Sequence, residues 1–225
     1  MNTHYNRLGG FPGNESSLTS KLRKYRKRIR SFLLISLLSV GAVSFAGTIN
    51  EAAKSGDLEQ VQRLVVEGAD VNAKTTRNET PLMIASLAGQ GEIVNYLLQR
   101  GADIGARNSS GLSSLHAAAY AGRTDIVSLL VAKGAEVNDA ANRFGVTPLH
   151  LAAEENQIKT VQELLRHGAD TTIVESNGYS ALSRAGFREH WDVVETLLAS
   201  GAVCQAADKV GDWLYQECTT RANAI

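Results

Sequence analysis

Gly145-Val146-Thr147-Pro148-Leu149-His150-Leu151-Ala152-Ala153, followed by Val161, Leu164, Leu165 and then Gly168-Ala169, decides the fold of this 225-residue chain. Thr147 reads as a helix N-cap, whose hydroxyl accepts from an amide that the helix itself leaves unpaired. Pro148 suits the first helical position, where its missing N–H forfeits no hydrogen bond. Val161, Leu164 and Leu165, three and four apart, fall on one face of a second helix. Gly168 supplies the left-handed residue that ends it. The unit reads as turn, helix, tight turn, helix, loop.

The unit recurs from about residue 49 to 204. Gly-Ala stands at Gly68, Gly101, Gly134, Gly168 and Gly201, at spacings of 33, 33, 34 and 33 residues. Ahead of each glycine lie two apolar columns, Val61, Val94, Val127, Val161, Val194 and Leu64, Leu97, Leu130, Leu164, Leu197. A small residue recurs on each first helix at Ala52, Ala85, Ala118, Ala152 and Ala185, which lets neighbouring helices approach closely. A fixed period of this length is the mark of a stacked helical solenoid.

Thr80-Pro81-Leu82-Met83, Ser113-Ser114-Leu115-His116, Thr147-Pro148-Leu149-His150 and Ser180-Ala181-Leu182-Ser183 each precede a Gly-Ala by 21 residues. This pattern resembles the ankyrin repeat, in five in-phase copies. The resemblance implies an all-α ankyrin-repeat solenoid of about five helix-turn-helix units with terminal caps. Its units are expected at 48–73 (an N-terminal cap without a front turn), 74–106, 107–140, 141–173 and 174–206, with a C-terminal cap at 207–225. Caps are needed because an uncapped solenoid end would expose its core.

The net charge of zero hides an asymmetry. Residues 1–46 carry eight Lys and Arg against Glu15 alone, whereas residues 47–225 carry 15 basic and 22 acidic side chains, 15 − 22 = −7. An acidic body argues against a nucleic-acid surface, which needs clustered cations. The basic run from Lys21 to Arg30, the apolar stretch 32–43 and Ser44-Phe45-Ala46 follow the order of a secretory signal. Residues 1–46 are thus expected to be a signal peptide and 47–225 a periplasmic or secreted domain; an uncleaved inner-membrane anchor carrying an exported domain is the alternative. Thr48 and Glu51 would form a capping box just past the cut.

Catalytic and metal signatures are weak. His116 and His150 share one repeat position, which in the ankyrin family resembles a linker hydrogen-bonding to the next repeat. His167 falls in a last helical turn, where a cation suits the helix dipole, and His190 shows no evident structural role. No histidines have the close spacing of a zinc site. Ser180, in Gly178-Tyr179-Ser180, lacks the closing glycine and preceding strand of a nucleophile elbow and reads as an N-cap. No cofactor is implied and an enzyme is not expected. Cys204 and Cys218 leave two readings open: one disulfide in an oxidising compartment, or two ordinary buried hydrophobes.

In ankyrin-like repeats the positions beside the front turn and after the first helix face the concave side, free of packing demands. Here they include Arg77, Glu79 and Leu87; Ser109, Leu112 and Tyr120; Arg143, Phe144, Val146, Glu154 and Glu155; Asn177, Tyr179, Phe187 and Arg188. Aromatics and arginines of this kind dominate interface hot spots. Packing of Phe144 and Tyr179 against neighbouring loops is the alternative. Glu163 and Glu195, on second helices, are expected to point away and stand idle. The expectation is a monomeric, non-enzymatic module that holds a protein partner on this face. An immunity or inhibitor protein acting on a toxin or hydrolase is one version, and a chaperone-like helper of an exported enzyme is the other.

Overall fold

The computed structural model describes residues 49–225. The leader, the cut after Ala46 and Thr48 of the expected capping box lie outside the described residues. Helices pair in order: α1 (49–55) with α2 (Leu58–Val66), α3 (Pro81–Ala88) with α4 (Gly91–Gln99), α5 (Ser114–Tyr120) with α6 (Thr124–Ala132), α7 (Pro148–Glu154) with α8 (Ile158–Arg166), and α9 (Ala181–Phe187) with α10 (Trp191–Ala199). The short α11 (Ala207–Val210) and α12 (Asp212–Ala222) follow. Among the described residues no strand forms; a lone bridge joins Val174 and Ser180.

The helices begin where the sequence places their caps. Thr80, Thr147 and Ser180 adopt extended backbone and accept from the amides of Met83, His150 and Ser183. The second helices end on the Gly-Ala pair by a double bond pattern: the Gly101 amide donates to Leu98 O at 3.2 Å and the Ala102 amide to Leu97 O at 2.9 Å. Gly101 has φ +84°, as this Schellman closure requires. A Cβ at any of the five recurring glycines would meet nothing within 4 Å, so conformation rather than space selects glycine there.

First helices pack on first helices and second on second, and the two helices of each repeat from α3 to α10 also pack on each other. The valine column is wholly buried, as are Leu97, Leu130, Leu164 and Leu197, while Ala85, Ala118, Ala152 and Ala185 are fully enclosed. Each such leucine contributes about 1.5–3 kcal/mol by its removal from water. The one 34-residue spacing arises in the loop between α6 and α7. An extra residue lies before Asn142, and Asp139 is buried there. Its carboxylate is gripped by Arg107 through two hydrogen bonds of 2.8 and 2.9 Å. Burial pushes that carboxyl up, yet the Arg107 hydrogen bonds, the Ala141 amide and the neighbouring His116 together hold it below its ordinary value.

The C-terminal segment leaves the pattern. Helix α12 packs over both α9 and α10, as a lid on the last repeat. Cys204 and Cys218 form a disulfide with Cα atoms 5.9 Å apart, a separation such bonds require. The bond settles the choice the sequence left open, and both cysteines also pack with the core.

Candidate protein-binding face

The front turns are built by one side chain each. Thr75 Oγ1 accepts from the amides of Arg77 and Glu79, Asn108 Oδ1 from Ser110 and Leu112, Asn142 Oδ1 from Phe144 and Val146, and Glu175 Oε2 from Asn177. Successive turn tips are then strung together by single backbone bonds: Ser109 N to Arg77 O at 2.9 Å, Arg143 N to Ser110 O at 3.0 Å, and Ser176 N to Phe144 O at 2.9 Å. Those bonds hold the tips in one row.

Histidines lock this row onto the first helices. The Ser113 and Thr147 backbone amides donate to Nδ1 of His116 and His150, each at 3.2 Å. An amide N–H can only donate, so Nδ1 carries no proton and Nε2–H must be the donor. His116 Nε2 donates to Val146 O at 3.0 Å and His150 Nε2 to Tyr179 O at 3.1 Å, each reaching into the next repeat. Burial drives the His150 pKa down to about 4 and lowers that of His116 as well. Both rings work only when neutral. At the end of the fifth repeat, where Ser183 stands at the histidine position, Gln205 accepts from Ser180 N at 2.9 Å and donates to Gly178 O at 2.8 Å. His190 also has a structural partner, Glu154 O at 2.9 Å from Nε2, which corrects the expectation that it is idle.

Between the turn row and the first helices runs an open groove. One part of it, a cavity of about 300 Å³, is lined by Met83, Ile84, Leu87, Leu112, Tyr120 and Leu151, together with Glu79 and Asn108. Leu87 and Tyr120, one repeat apart at the ends of α3 and α5, remain 45% and 48% exposed. A second cavity continues the groove toward Asn50, Lys54 and Arg77. The expected residues Leu112 and Tyr120 thus line one apolar trough, and Arg77 sits beside it, 3.3 Å from Glu79. Met83, Ile84 and Leu151 escaped the sequence reading. Ile84 and Leu151 stand three residues before Leu87 and Glu154, on the same helix face, and their apolar character at an outward position was the signal available.

Elsewhere the same face is engaged with itself. Glu154 pairs with Arg184 at 2.7 Å and Arg188 at 2.9 Å, both from the next repeat. Tyr179 is half-buried, its ring edge-on to Phe187 at 5.0 Å and under Lys209 at 5.5 Å. Val146 is only 3% exposed and belongs to the core, because its backbone is tied by His116 and Asn142 at the turn–helix junction. Phe144 (48% exposed), Phe187 (44%), Arg143, Glu155 and Asn177 do face solvent. On the second helices Glu163 is far from idle: Arg166, Ser128 and His167 engage it and lower its pKa to about 2. Among the described residues no three His, Cys, Asp or Glu side chains converge as a metal site would need.

A family profile described as ankyrin repeats (3 copies) matches residues 49–141 and 138–208, most of the described chain. No curated protein matches the sequence.

Proposed function

Because the chain belongs to the ankyrin-repeat family of protein-interaction modules, we propose that it acts by holding one protein partner on the grooved face, without chemistry of its own. The observation that carries this reading is the apolar trough at Leu87 and Tyr120, whose side chains are half in water with nothing from their own repeats to cover them. Burying such side chains under a partner removes apolar surface from water, and aromatic anchors are where binding energy concentrates. We further propose that the array works outside the cytoplasm. The charge, apolar and small-residue order of 1–46 supports that location, and so does a disulfide, which persists in oxidising compartments. In that setting the protein acts by occlusion, as an immunity or inhibitor protein covering a toxin or hydrolase. A helper of an exported enzyme would use the same face with the opposite effect on activity.

The test is capture from a periplasmic or secreted fraction with wild-type protein and with Leu87→Ala and Tyr120→Ala. Each substitution is expected to weaken capture by about 2 kcal/mol, some thirtyfold, as for hot-spot anchors. Gln162→Ala, exposed on α8, is the neutral control. Loss of capture with Gln162→Ala and none with the groove variants would place the partner on the opposite face. A fall in the captured enzyme's activity supports occlusion, and a rise supports the helper role. Recovery of the full-length chain in the cytoplasm would remove the export part of the reading.

A further inference from the structure

We propose that the Cys204–Cys218 bond is a redox latch on the C-terminal cap: reduction releases α12 while the preceding repeats stay folded. The proposal holds whichever partner the groove takes. Little else holds this helix. Each of α3, α5, α7 and α9 carries five buried residues, whereas α12 buries only Leu214 and Cys218 along its eleven. Cys218 is one end of the bond itself. An eleven-residue helix is marginal by itself in water. Its N-terminus has no side-chain cap and begins at Gly211, a positive-φ residue suited to a hinge.

The remaining ties to the fifth repeat are few. Leu214 fills the notch left by Gly186, where a Cβ would come within 2.5 Å of Leu214 Cδ1. Trp213 meets Trp191 edge-on at 5.9 Å. Arg221 lies 3.9 Å over the Trp191 ring and 3.8 Å from Glu195. Trp213 and Tyr215 are otherwise turned to solvent. Without the covalent tie, the cap depends on the buried side chains of Leu214 and Cys218 and on the Trp213 and Arg221 contacts at the surface, and short peripheral elements of this kind open locally before the whole domain does.

The chemical step is disulfide exchange with a dithiol. The reagent's thiolate attacks Sγ of Cys204, which is less buried than its partner, and Cys218 leaves as a thiolate that takes up a proton. The reagent's second thiol then closes its own disulfide and frees Cys204, so two electrons and two protons pass from the dithiol to the protein. Undocking of α12 uncovers the outer sides of α9 and α10, the exposed end that a solenoid cap exists to prevent. The closed form of the array is thereby confined to an oxidising environment.

The experiment follows amide hydrogen exchange of the full-length protein with and without dithiothreitol. Reduction is expected to speed exchange in 212–222 at least tenfold while 114–132, in α5 and α6, changes little. Trp191 and Trp213 are the only tryptophans in the chain, so their emission should shift to the red in step. The double variant Cys204→Ala, Cys218→Ala should show the same rapid α12 exchange with no reductant. Unchanged protection of α12 in the reduced protein or the double variant would overturn the latch. Loss of protection in α5 and α6 together with α12 would overturn it equally, because the cap would then be no separate unit.

Discussion

The two halves of the grooved face are made by the same helix positions and behave differently. Leu87, Tyr120, Glu154 and Phe187 occupy one column, at the ends of α3, α5, α7 and α9. In the first half Leu87 and Tyr120 flank an open apolar cavity. In the second, Glu154 is held by Arg184 and Arg188, and Phe187 supports Tyr179, which Lys209 covers. A partner docking on the second half must first disturb an ion-pair cluster in which Glu154 and Arg184 are partly shielded from water, though Arg188 is exposed. On the first half it meets a largely apolar lining, with the Arg77–Glu79 pair to one side. Availability of a repeat position is therefore set by what the adjacent repeat places opposite it.

Both halves belong to one stack only if Leu130, which lies between them, couples them. Leu130→Ala should cost about 2–5 kcal/mol, because a wholly buried leucine leaves a cavity between repeats. Denaturant unfolding should remain a single transition, with both halves lost together. A loss under about 1 kcal/mol, or two separate transitions, would mean that the halves are independent.

Acid probes the histidine ties, His116 beneath the groove and His150 beneath the paired half. The folded His150 pKa of about 4 lies below the ordinary 6.5, so the unfolded chain takes up its proton first as pH falls. Stability is complete above about pH 6.5 and declines until about pH 4, where the folded form is protonated too. The slope in that window is up to about 1.4 kcal/mol per pH unit for each such histidine. His150→Gln should remove the His150 share and leave a smaller slope, since His116 still titrates in the same sense. Glu163, held near 2, contributes loss only below about pH 4.5, so it does not imitate the effect. A stability that stays flat from pH 7 to 4.5 would show that the rings are not held neutral.

The smallest effect separates the halves directly. Tyr179→Ala should lower stability by about 1 kcal/mol, because it removes the edge-on contact with Phe187 and half-buried area. Leu87→Ala, on the open side, should stay within about 0.5 kcal/mol in stability while weakening capture of a partner. Thermal or urea unfolding of the two variants decides the point. Equal losses would erase the distinction between an open and a self-engaged half.

Much of this was legible beforehand because it follows from local periodicity. The caps at Thr80, Thr147 and Ser180, the Gly-Ala closures and the buried valine and leucine columns each depend on residues within one unit. Phe144 and Tyr120 were also rightly placed in solvent. Val146, Glu154 and His190 were misjudged, since their partners His116, Arg184 with Arg188, and the Glu154 carbonyl stand 30 to 36 residues away in the chain. Periodicity shows that such residues align, without showing which of them meet.

By itself the sequence determined the repeat, its phase, the all-helical architecture and the column facing outward, because helix caps, glycine closures and apolar spacing are short-range. Tertiary structure alone decided that Cys204 and Cys218 are joined, that α12 lies across α9 and α10, and that the groove opens at Leu87 and Tyr120 rather than at Phe187. Those outcomes depend on the distance between side chains of different repeats, and stacking sets that distance.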